Sequence, residues 1–464
     1  MNDRTIEIAE IQEVLLSGTI YKIRQLLKNV HEADIAEALE SLTRNQRIQF
    51  FKKVKPELVV DVFEEIRNPV QIEVLQEVQS ERAASIVEKM EMDDAADVLQ
   101  DLKEEDKKRA AEIIQNIKDQ VEVTELLKHP ETSAGGIMNP SYVAIPENLT
   151  VKQAISQFRK TVSAERDFTY YIYVIDEDNH LMGVANLRDL IMAKESQKIK
   201  EIRNENIISV STDTDQEEAA QLIAKYDFLA LPVTNDSGKM VGIITVDDIV
   251  DVIQEEATED ILKLTGAGGE LNEDDILGGD ILNAAKSRFQ WLFLTMLGGL
   301  LSGLILTFFA RSFGSHYLFL TIMLGFIPLL IGLGGNIGNQ SATIMVRGLA
   351  MGYVKQSDVF GKVLREIGVG LIIGLGIGAI LLFGTWLIYQ TPYYGIMVAT
   401  AIILNVVFSS ALGTMLPIFF TRIGIDPAVA SAPFISSTID VIGLVVYFFV
   451  IQTFLLFTPF QSII

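Results

Sequence analysis

The chain has 464 residues, more than a single domain usually needs, and its formal charge at pH 7 is −23. Residues 1–285 hold 30 Lys/Arg and 57 Asp/Glu, whereas residues 286–464 hold 8 and 4 together with long apolar runs. The negative charge therefore belongs to the first part. Such a surface repels nucleic acid, which is excluded as a partner, and attracts cations; a merely solvated surface is the alternative.

Cysteine is absent and the four histidines are scattered along the chain. Thiolate and imidazole clusters of the kind that hold Zn²⁺ or copper are therefore not expected. Oxygen ligands remain, and these suit Mg²⁺ or Ca²⁺. The opening residues MNDRTIEIAEIQE lack a basic segment followed by an apolar stretch, which predicts that the acidic part stays in the cytoplasm.

A twelve-residue repeat runs through the first 115 residues, in segments that start at 34, 46, 58, 70, 82, 94 and 106. In these segments the fifth, sixth and ninth places are apolar or Ala, which gives each a helical stripe. Four segments supply Ala38, Leu39, Leu42, Val62, Phe63, Ile66, Ile86, Val87, Met90, Val98, Leu99 and Leu102. Because a short helix cannot bury its stripe alone, the repeat predicts a stacked α-solenoid over residues 1–130.

Acidic residues cluster near the end of this repeat, at Asp93, Asp94, Asp97 and Asp101. The last three recur at three- and four-residue spacing, so they share one helix face. Like charges at this spacing destabilise a helix unless a cation or a basic partner meets them. We expect a sensing or interaction role here rather than catalysis, because no nucleophile stands beside a base.

A strand–turn–strand–helix pattern that begins at Val174 returns 59 residues later at Val233, with Gly183 matched by Gly242 and Asp189 by Asp248. This duplication resembles a tandem pair of CBS domains, at 137–199 and 200–255. The resemblance implies a regulatory module and nucleotide binding at Thr245, Asp248 and Asp189. The alternative is that both aspartates only cap helices.

An acidic segment, predicted as a linking helix and connector over 247–285, follows the second copy. Asp248, Asp251, Glu255 and Glu259 recur at steps of three, four and four, which places a ladder of carboxylates on one helix face. Glycines at 266, 268 and 269 predict its end. A solvated face is the ordinary interpretation, but divalent cations would relieve the self-repulsion of the ladder.

Five apolar stretches are long enough to cross a membrane, at about 290–310, 317–346, 366–390, 394–420 and 428–457. Seven Lys or Arg residues fall in the loops on one side and only Arg311 on the other, which predicts a cytoplasmic amino terminus. Glycines at 370, 374 and 378 predict close helix packing by the third span.

The fifth span contains Asp440, which a count from a helix start at Pro427 places near the middle of the membrane. A carboxylate there is costly unless it is paired, and a water-filled cation path is the simplest remedy. A protonated Asp440 bonded to a neighbouring helix is the alternative. Asp426, directly before Pro427, is expected to be an N-cap that also lies at the cytoplasmic mouth.

The order of these parts, with GGNIGNQSAT in the second span and PFISSTIDVIGL in the fifth, resembles the MgtE family of Mg²⁺ channels over essentially the whole chain. The resemblance implies a multidomain membrane protein: an N-terminal α-solenoid, an α/β tandem CBS pair, an acidic linking helix and an all-α, five-span transmembrane domain at 286–464. It also implies a homodimeric, multi-pass protein of the inner cell membrane, in contact with lipid, that is a transporter rather than an enzyme.

The site residues follow from the same resemblance. The pore would be lined by the second and fifth spans, with Asp440, Asn336 and Gly335 at the Mg²⁺ site. Regulatory Mg²⁺ would bind among Asp93, Asp94, Asp97, Asp248, Asp251, Glu255, Glu256, Glu259, Asp260 and Asp426. Intracellular Mg²⁺ would then hold the pore shut, and ATP is a candidate cofactor of the CBS pair.

Two other functions fit the same sequence. One is a membrane-anchored, nucleotide-sensing signalling protein that moves no ion. The other is a related channel for another divalent cation such as Co²⁺, because aspartate discriminates poorly among hard cations.

Overall fold

The computed structural model describes residues 8–118, 120–161, 171–266, 281–312, 317–351, 353–354 and 359–457. These residues fall into two compact units, Met1–Ile253 and Gln254–Ile464. Residues 267–280 of the predicted connector, including two of the glycines expected to end the linking helix, lie outside the described residues.

Short helices make up the first part of the chain. They are Ile8–Ser17, Ile20–Asn29, Glu32–Glu40, Arg44–Lys53, Val60–Glu64, Asn68–Glu77, Ser80–Val87, Met92–Glu105, Lys107–Asn116 and Gln120–Leu126, with a 3₁₀ turn at Pro56–Leu58. Helices contact their next-but-one neighbours, so the stripes stack into one core. The prediction of a helical domain is confirmed, and all twelve apolar residues named from the repeat are buried.

Hydrogen bonds at the helix ends help to define the twelve-residue repeat. Thr43 and Gln46 form a capping box at the start of one helix. Arg109 donates to the carbonyl oxygen of Leu75 at 2.7 Å and so satisfies the last turn of another. Most helices of this part have 8 to 10 residues, which fits a repeat of twelve.

Two three-stranded sheets form the duplicated module. Their strands are β1 Ala144–Pro146, β2 Tyr171–Ile175, β3 Leu181–Asn186, β4 Val210–Ser211, β5 Ala230–Thr234 and β6 Met240–Thr245. The intervening helices are Val151–Thr161, Leu187–Met192 and Gln216–Tyr226, with a 3₁₀ turn at Ile199–Glu201. In each sheet the first two strands are parallel and the last two antiparallel. Val174 pairs with Gly183 in one sheet and Val233 with Gly242 in the other, so the duplication extends to strand register.

The linking helix, Val246–Thr265, begins directly after β6. Its first turns pack Ile249 and Val252 into the core of the second sheet. It ends at Gly266, whose φ of +71° is the left-handed conformation that glycine adopts at helix ends.

Five long apolar helices follow, each able to cross a membrane by length and hydropathy. The first span is Ile281–Ser312, the second Tyr317–Leu324 with Ile327–Ala350, the third Val359–Tyr389, the fourth Pro392–Arg422 and the fifth Ala432–Phe457. The second span is interrupted at residues 325–326, just before Pro328. In the third span Gly370, Gly374 and Gly378 are buried against the fourth, as their spacing predicted.

The start of the fifth span differs from the sequence prediction. Pro427–Val429 is a 3₁₀ turn, and the helix begins only at Ala432. Asp440 is therefore eight residues from the helix start, or about 12 Å at 1.5 Å per residue. It lies in the first third of the span rather than at its middle. The count from Pro427 was wrong because it treated the 3₁₀ turn as part of the helix.

Candidate pore and regulatory metal sites

Polar side chains join the second and fifth spans one turn before Asp440. Asn339 donates a hydrogen bond from Nδ2 to Ser436 Oγ at 3.1 Å. Gly335, on the turn before Asn339, faces the same serine, since a Cβ placed on it would lie 3.4 Å from Ser436 Oγ. The structure therefore brings Gly335 close to the part of the fifth span that carries Asp440.

Asp440 itself is half-buried, and its Oδ1 is fully buried with no hydrogen-bond partner among the described residues. A buried carboxylate oxygen without a donor costs several kcal/mol in an apolar environment. The oxygen is thus placed to accept from water or to meet a cation.

Asn336 differs from Gly335, because it is exposed on the isolated chain. A Cβ placed on Gly332, one turn earlier, would meet no neighbouring atom within 4 Å. This face of the second span is thus covered by nothing in the described part of a single chain. An amide on a lipid-facing surface would be costly.

An acidic cluster lies in the first unit. It consists of Glu64, Glu91, Asp93, Asp94, Asp247, Asp248 and Asp251, from the end of one short helix, the start of helix Met92–Glu105 and the start of the linking helix. Asp93 is only 5 % exposed, although it is a carboxylate. Four of the predicted ligands in the N domain and linking helix are thus brought together by the fold: Asp93, Asp94, Asp248 and Asp251.

Burial and mutual repulsion perturb the whole acidic cluster. Burial, with repulsion from Asp94 and Glu64, raises the pKa of Glu91 to about 8. Burial raises the pKa of Glu64 to about 7, against an opposing hydrogen bond from the Glu91 amide. The pKa of Asp93 is raised well above its usual range by burial and by repulsion from Asp248. Burial and repulsion from Asp248 also raise the pKa of Asp94 to about 7, although this residue keeps an exposed face.

Only a few donors meet these carboxylates. Asn139 donates from Nδ2 to Glu91 Oε2 at 2.8 Å and to Asp93 Oδ1 at 3.2 Å. Asn139 is itself held by two backbone hydrogen bonds to Ile243 of β6. Among the described residues no ammonium or guanidinium group forms an ion pair with the cluster. The cluster therefore offers carboxyl oxygens without a basic partner among the described residues, and divalent cations such as Mg²⁺ and Ca²⁺ prefer oxygen ligands.

Other predicted ligands lie away from this cluster. Asp97 is exposed one turn further along its helix. Glu255 is exposed and Glu256 half-buried in the second half of the linking helix, which belongs to the other unit. Asp101 accepts from Asn68, and burial raises its pKa to about 6.

A second charged group lies in the second unit, where Lys263 of the linking helix pairs with Glu259 at 2.6 Å and with Asp426 at 2.7 Å. Burial lowers the pKa of Lys263, but the hydrogen bonds to Asp426 and Glu259 outweigh it and raise the pKa to about 12. Burial and repulsion from Asp426 raise the pKa of Asp260 to about 6. Asp426 also accepts from the Ala428 amide at 2.8 Å, so the predicted N-cap is present.

The residues proposed for nucleotide are engaged within the chain. Thr245, 4 % exposed, donates its hydroxyl to Asp248 Oδ2, which also accepts from the Thr245 amide. In the first copy Asp189 and Asn186 form a capping box. Both aspartates therefore cap helices, which was the alternative interpretation.

One convergent group was overlooked in the sequence. Within the described residues, the trio whose ligand atoms all lie within 4.8 Å of one another is Asp176, Asp178 and His180, in the turn between β2 and β3. Asp176 accepts from the backbone amides of Asp178 and His180 and contacts His180 Nδ1 at 3.0 Å. The carboxylate closes a surface turn.

Sequence reasoning also missed Glu64, Glu91, Asp247 and Lys263. Glu64 lies 27 residues from Glu91, so no local spacing relates them. Lys263 was detectable, because it is the only basic residue in the otherwise acidic helix Val246–Thr265.

Models of known families match the parts of the chain described above. Residues 327–450 match a family model described as "Divalent cation transporter", residues 30–132 match "MgtE intracellular N domain", and residues 134–196 and 199–255 each match "CBS domain".

Individual magnesium transporters are similar in sequence to most of this chain. The magnesium transporter MgtE of Thermus thermophilus is 40 % identical over 330 residues, which is 71 % of either chain. That of Bacillus subtilis is 33 % identical over 331 residues, again 71 % of either chain. A crystal structure of the cytosolic domain of the Mg²⁺ channel MgtE in complex with ATP is 35 % identical, covers 53 % of this chain and 100 % of its own, and has a TM-score of 0.50. At this identity and coverage, the chain belongs to the MgtE family of magnesium transporters.

Proposed function

We propose that this chain is a homodimeric Mg²⁺ channel of the inner membrane, with its amino terminus in the cytoplasm, that mediates Mg²⁺ influx. The observation that carries the proposal is the buried Oδ1 of Asp440, which has no hydrogen-bond partner in the described part of the chain and lies beside the contact between the second and fifth spans. A carboxylate held in an apolar span without a basic partner is stabilised by a cation path.

The polar neighbours of Asp440 suit a hydrated ion. Mg²⁺ gives up its water reluctantly, so its site needs room for a hydration shell and oxygen atoms that accept from it. Gly335 has no side chain and leaves space opposite Ser436, while Asp440 supplies charge. Side chains of the second span that form hydrogen bonds, such as Asn339, complete such a lining.

The exposed face of the second span supports a dimer. Asn336 and Gly332 are uncovered in one chain, and an amide in this position requires water or a protein partner. A second copy related by a two-fold axis would place two Asp440 carboxylates around one path. Two carboxylates balance the charge of one divalent cation.

The acidic cluster is the proposed intracellular Mg²⁺ sensor. Bound Mg²⁺ would bridge the carboxylates of the helical domain and the linking helix and favour the compact, closed state; without it, repulsion would favour the open state. Asp93, Asp94 and Asp248 would be its central ligands. Several weak sites acting together can supply the several kcal/mol that a switch of this kind requires.

Glu255, Glu256, Glu259, Asp260 and Asp426 are the proposed second regulatory region. They lie along the rest of the linking helix and at the turn before the fifth span. Neutralising Glu255 and Glu259 to Gln should leave the channel open at internal Mg²⁺ concentrations that close the parent, and an unchanged closing curve in patch recordings would contradict this role.

Transport itself is tested with the full chain in proteoliposomes. Mg²⁺ uptake into vesicles that contain a Mg²⁺-sensitive dye is expected, with competition measured against Co²⁺, Mn²⁺ and Ca²⁺. Absence of uptake would favour the signalling alternative. Faster uptake of Co²⁺ than of Mg²⁺ would favour a channel for another divalent cation.

ATP binding at the CBS pair is the second candidate function. It is supported by the position of Thr245 and Asp248 at the end of β6 and by the ATP complex of a relative's cytosolic domain. Calorimetric titration of the parent and of Thr245→Val with ATP tests it. Equal heats for both proteins would remove Thr245 from the site.

A further inference from the structure

The fourth span carries a buried stripe of small and polar residues that the proposed function does not use. Asn405, Ser409 and Gly413 recur at four-residue spacing, and the first two are each 1 % exposed. This helix is the most buried of the five spans. Its stripe therefore faces protein rather than lipid.

Asn405 is bonded to the second span. Its Nδ2 donates to the carbonyl oxygen of Leu330 at 3.0 Å, in the first turn after the interruption at residues 325–326. A buried hydrogen bond of this kind is costly to break, because the Asn405 amide would lose its partner in an apolar environment.

Asn405 also sets how closely two helices approach. A Cβ placed on Gly334 of the second span would lie 2.8 Å from Asn405 Nδ2, and one placed on Gly443 of the fifth would lie 2.5 Å from Asn405 Oδ1. Both distances are shorter than van der Waals contact. One amide thus separates two helix backbones that can approach it only because both positions are glycine.

These two glycines adjoin the candidate pore residues. Gly334 precedes Gly335, and Gly443 lies one helical turn after Asp440. From this geometry we propose that Asn405 is a positioning residue for ion selection: it fixes the separation of the second and fifth spans at the level of Asp440. The inference rests on the proposed function.

The physical reason is the size of the passing ion. Mg²⁺ and Ca²⁺ carry the same charge but differ in radius, in ligand number and in how readily they lose water. A path that holds a hydrated ion discriminates through its width, so a small change in helix separation alters the preference. Positioning by Asn405 should therefore act on the Mg²⁺/Ca²⁺ ratio more than on the amount of folded protein.

A double-mutant cycle with the full chain tests the contact. Gly443→Ala alone should lower the Mg²⁺/Ca²⁺ uptake ratio, because the new methyl group meets Asn405 Oδ1. Asn405→Ala alone should also lower it, because the spacer and the bond to Leu330 are lost. The combined variant should recover at least about threefold relative to the product of the two single effects, since the methyl group then occupies freed space.

Asn405→Leu provides a second variant with nearly the same shape and no polar atoms. It should lower the Mg²⁺/Ca²⁺ ratio and raise KM for Mg²⁺ while the protein elutes from size exclusion as the parent does. Thr385→Val is the matched control: Thr385 is also buried in a span, and its hydroxyl donates to the carbonyl oxygens of Leu381 and Leu382 in its own helix. It should keep the parental ratio.

The outcomes are separable. A parent chain that carries no Mg²⁺ refutes the proposed function. If the parent transports Mg²⁺ but the folded Asn405 variants keep its Mg²⁺/Ca²⁺ ratio and KM, the positioning role of Asn405 is refuted. Strictly multiplicative effects in the double-mutant cycle would refute it as well. If Asn405→Ala fails to fold, Asn405→Leu and Gly443→Ala decide the matter.

Discussion

The ammonium nitrogen of Lys263 lies 2.7 Å from Asp426 Oδ2, so the linking helix is tied directly to the turn before the fifth span. Lys263 also neutralises Glu259, on the same helix. An internal cation thus occupies part of the region in which regulatory Mg²⁺ is proposed to bind. Lysine and Mg²⁺ would compete for the same oxygen atoms.

Lys263→Gln should make the channel close at lower internal Mg²⁺. Its removal leaves Glu259, Asp260 and Asp426 with one more uncompensated charge, which attracts a divalent ion by roughly 1 kcal/mol at a partly exposed site, or about fivefold in concentration. The measurement is the Mg²⁺ midpoint of closing in patch recordings. Lys225→Gln, at an exposed lysine of the CBS pair, is the charge control and should leave the midpoint unchanged. A parental midpoint in Lys263→Gln would argue against competition.

Stability of the metal-free protein should fall as pH rises from about 5 to 8. The pKa of Glu64 is raised from 4.5 to about 7 and that of Glu91 from 4.5 to about 8, so in this window the folded state binds more protons than the unfolded state. Stability is then highest at low pH and is lost as these carboxyls ionise. The test is the midpoint of thermal unfolding in EDTA across the window. A midpoint that rises with pH would contradict the predicted sign.

Glu91→Gln should stabilise the metal-free protein at pH 8. Gln is isosteric and keeps an oxygen for Asn139 Nδ2, but it removes one charge from the acidic cluster. We expect the EDTA unfolding midpoint to rise by about 2–4 °C. In millimolar Mg²⁺ the gain should shrink or reverse, because a candidate ligand is also lost. Glu81→Gln, on an exposed helix position, should change neither value.

Asp440→Asn should reduce Mg²⁺ uptake by at least about tenfold, which corresponds to about 1.4 kcal/mol in the barrier. The amide keeps the size of the side chain and removes the charge that favours ion entry. Glu366→Gln is the matched control, since Glu366 lies in the third span and accepts from Ser341 at 3.2 Å. Undiminished uptake by a folded Asp440→Asn protein would reject Asp440 as the ion site.

The repeat and the duplication could be predicted from local pattern. The twelve-residue repeat identified the buried residues of the apolar stripes, such as Phe63 and Leu99, because helix periodicity depends on neighbours three and four positions apart. The five spans followed from apolar length, and the matched glycines Gly183 and Gly242 gave the duplicated sheets. The start of the fifth span was misplaced, because Asp-Pro signals a turn as readily as a helix cap.

The composition of the sites could be read from the sequence alone: an acidic, cysteine-free first part of the chain and one aspartate in the fifth span. Which charges meet depends on how the helices and sheets pack. The tertiary structure placed Glu64 against Glu91, joined Lys263 to Asp426 across 163 residues, and set Asn405 between the second and fifth spans. The physical reason is range: helix and strand periodicity are local properties of the chain, whereas burial, repulsion and ion pairing depend on distances that only packing fixes.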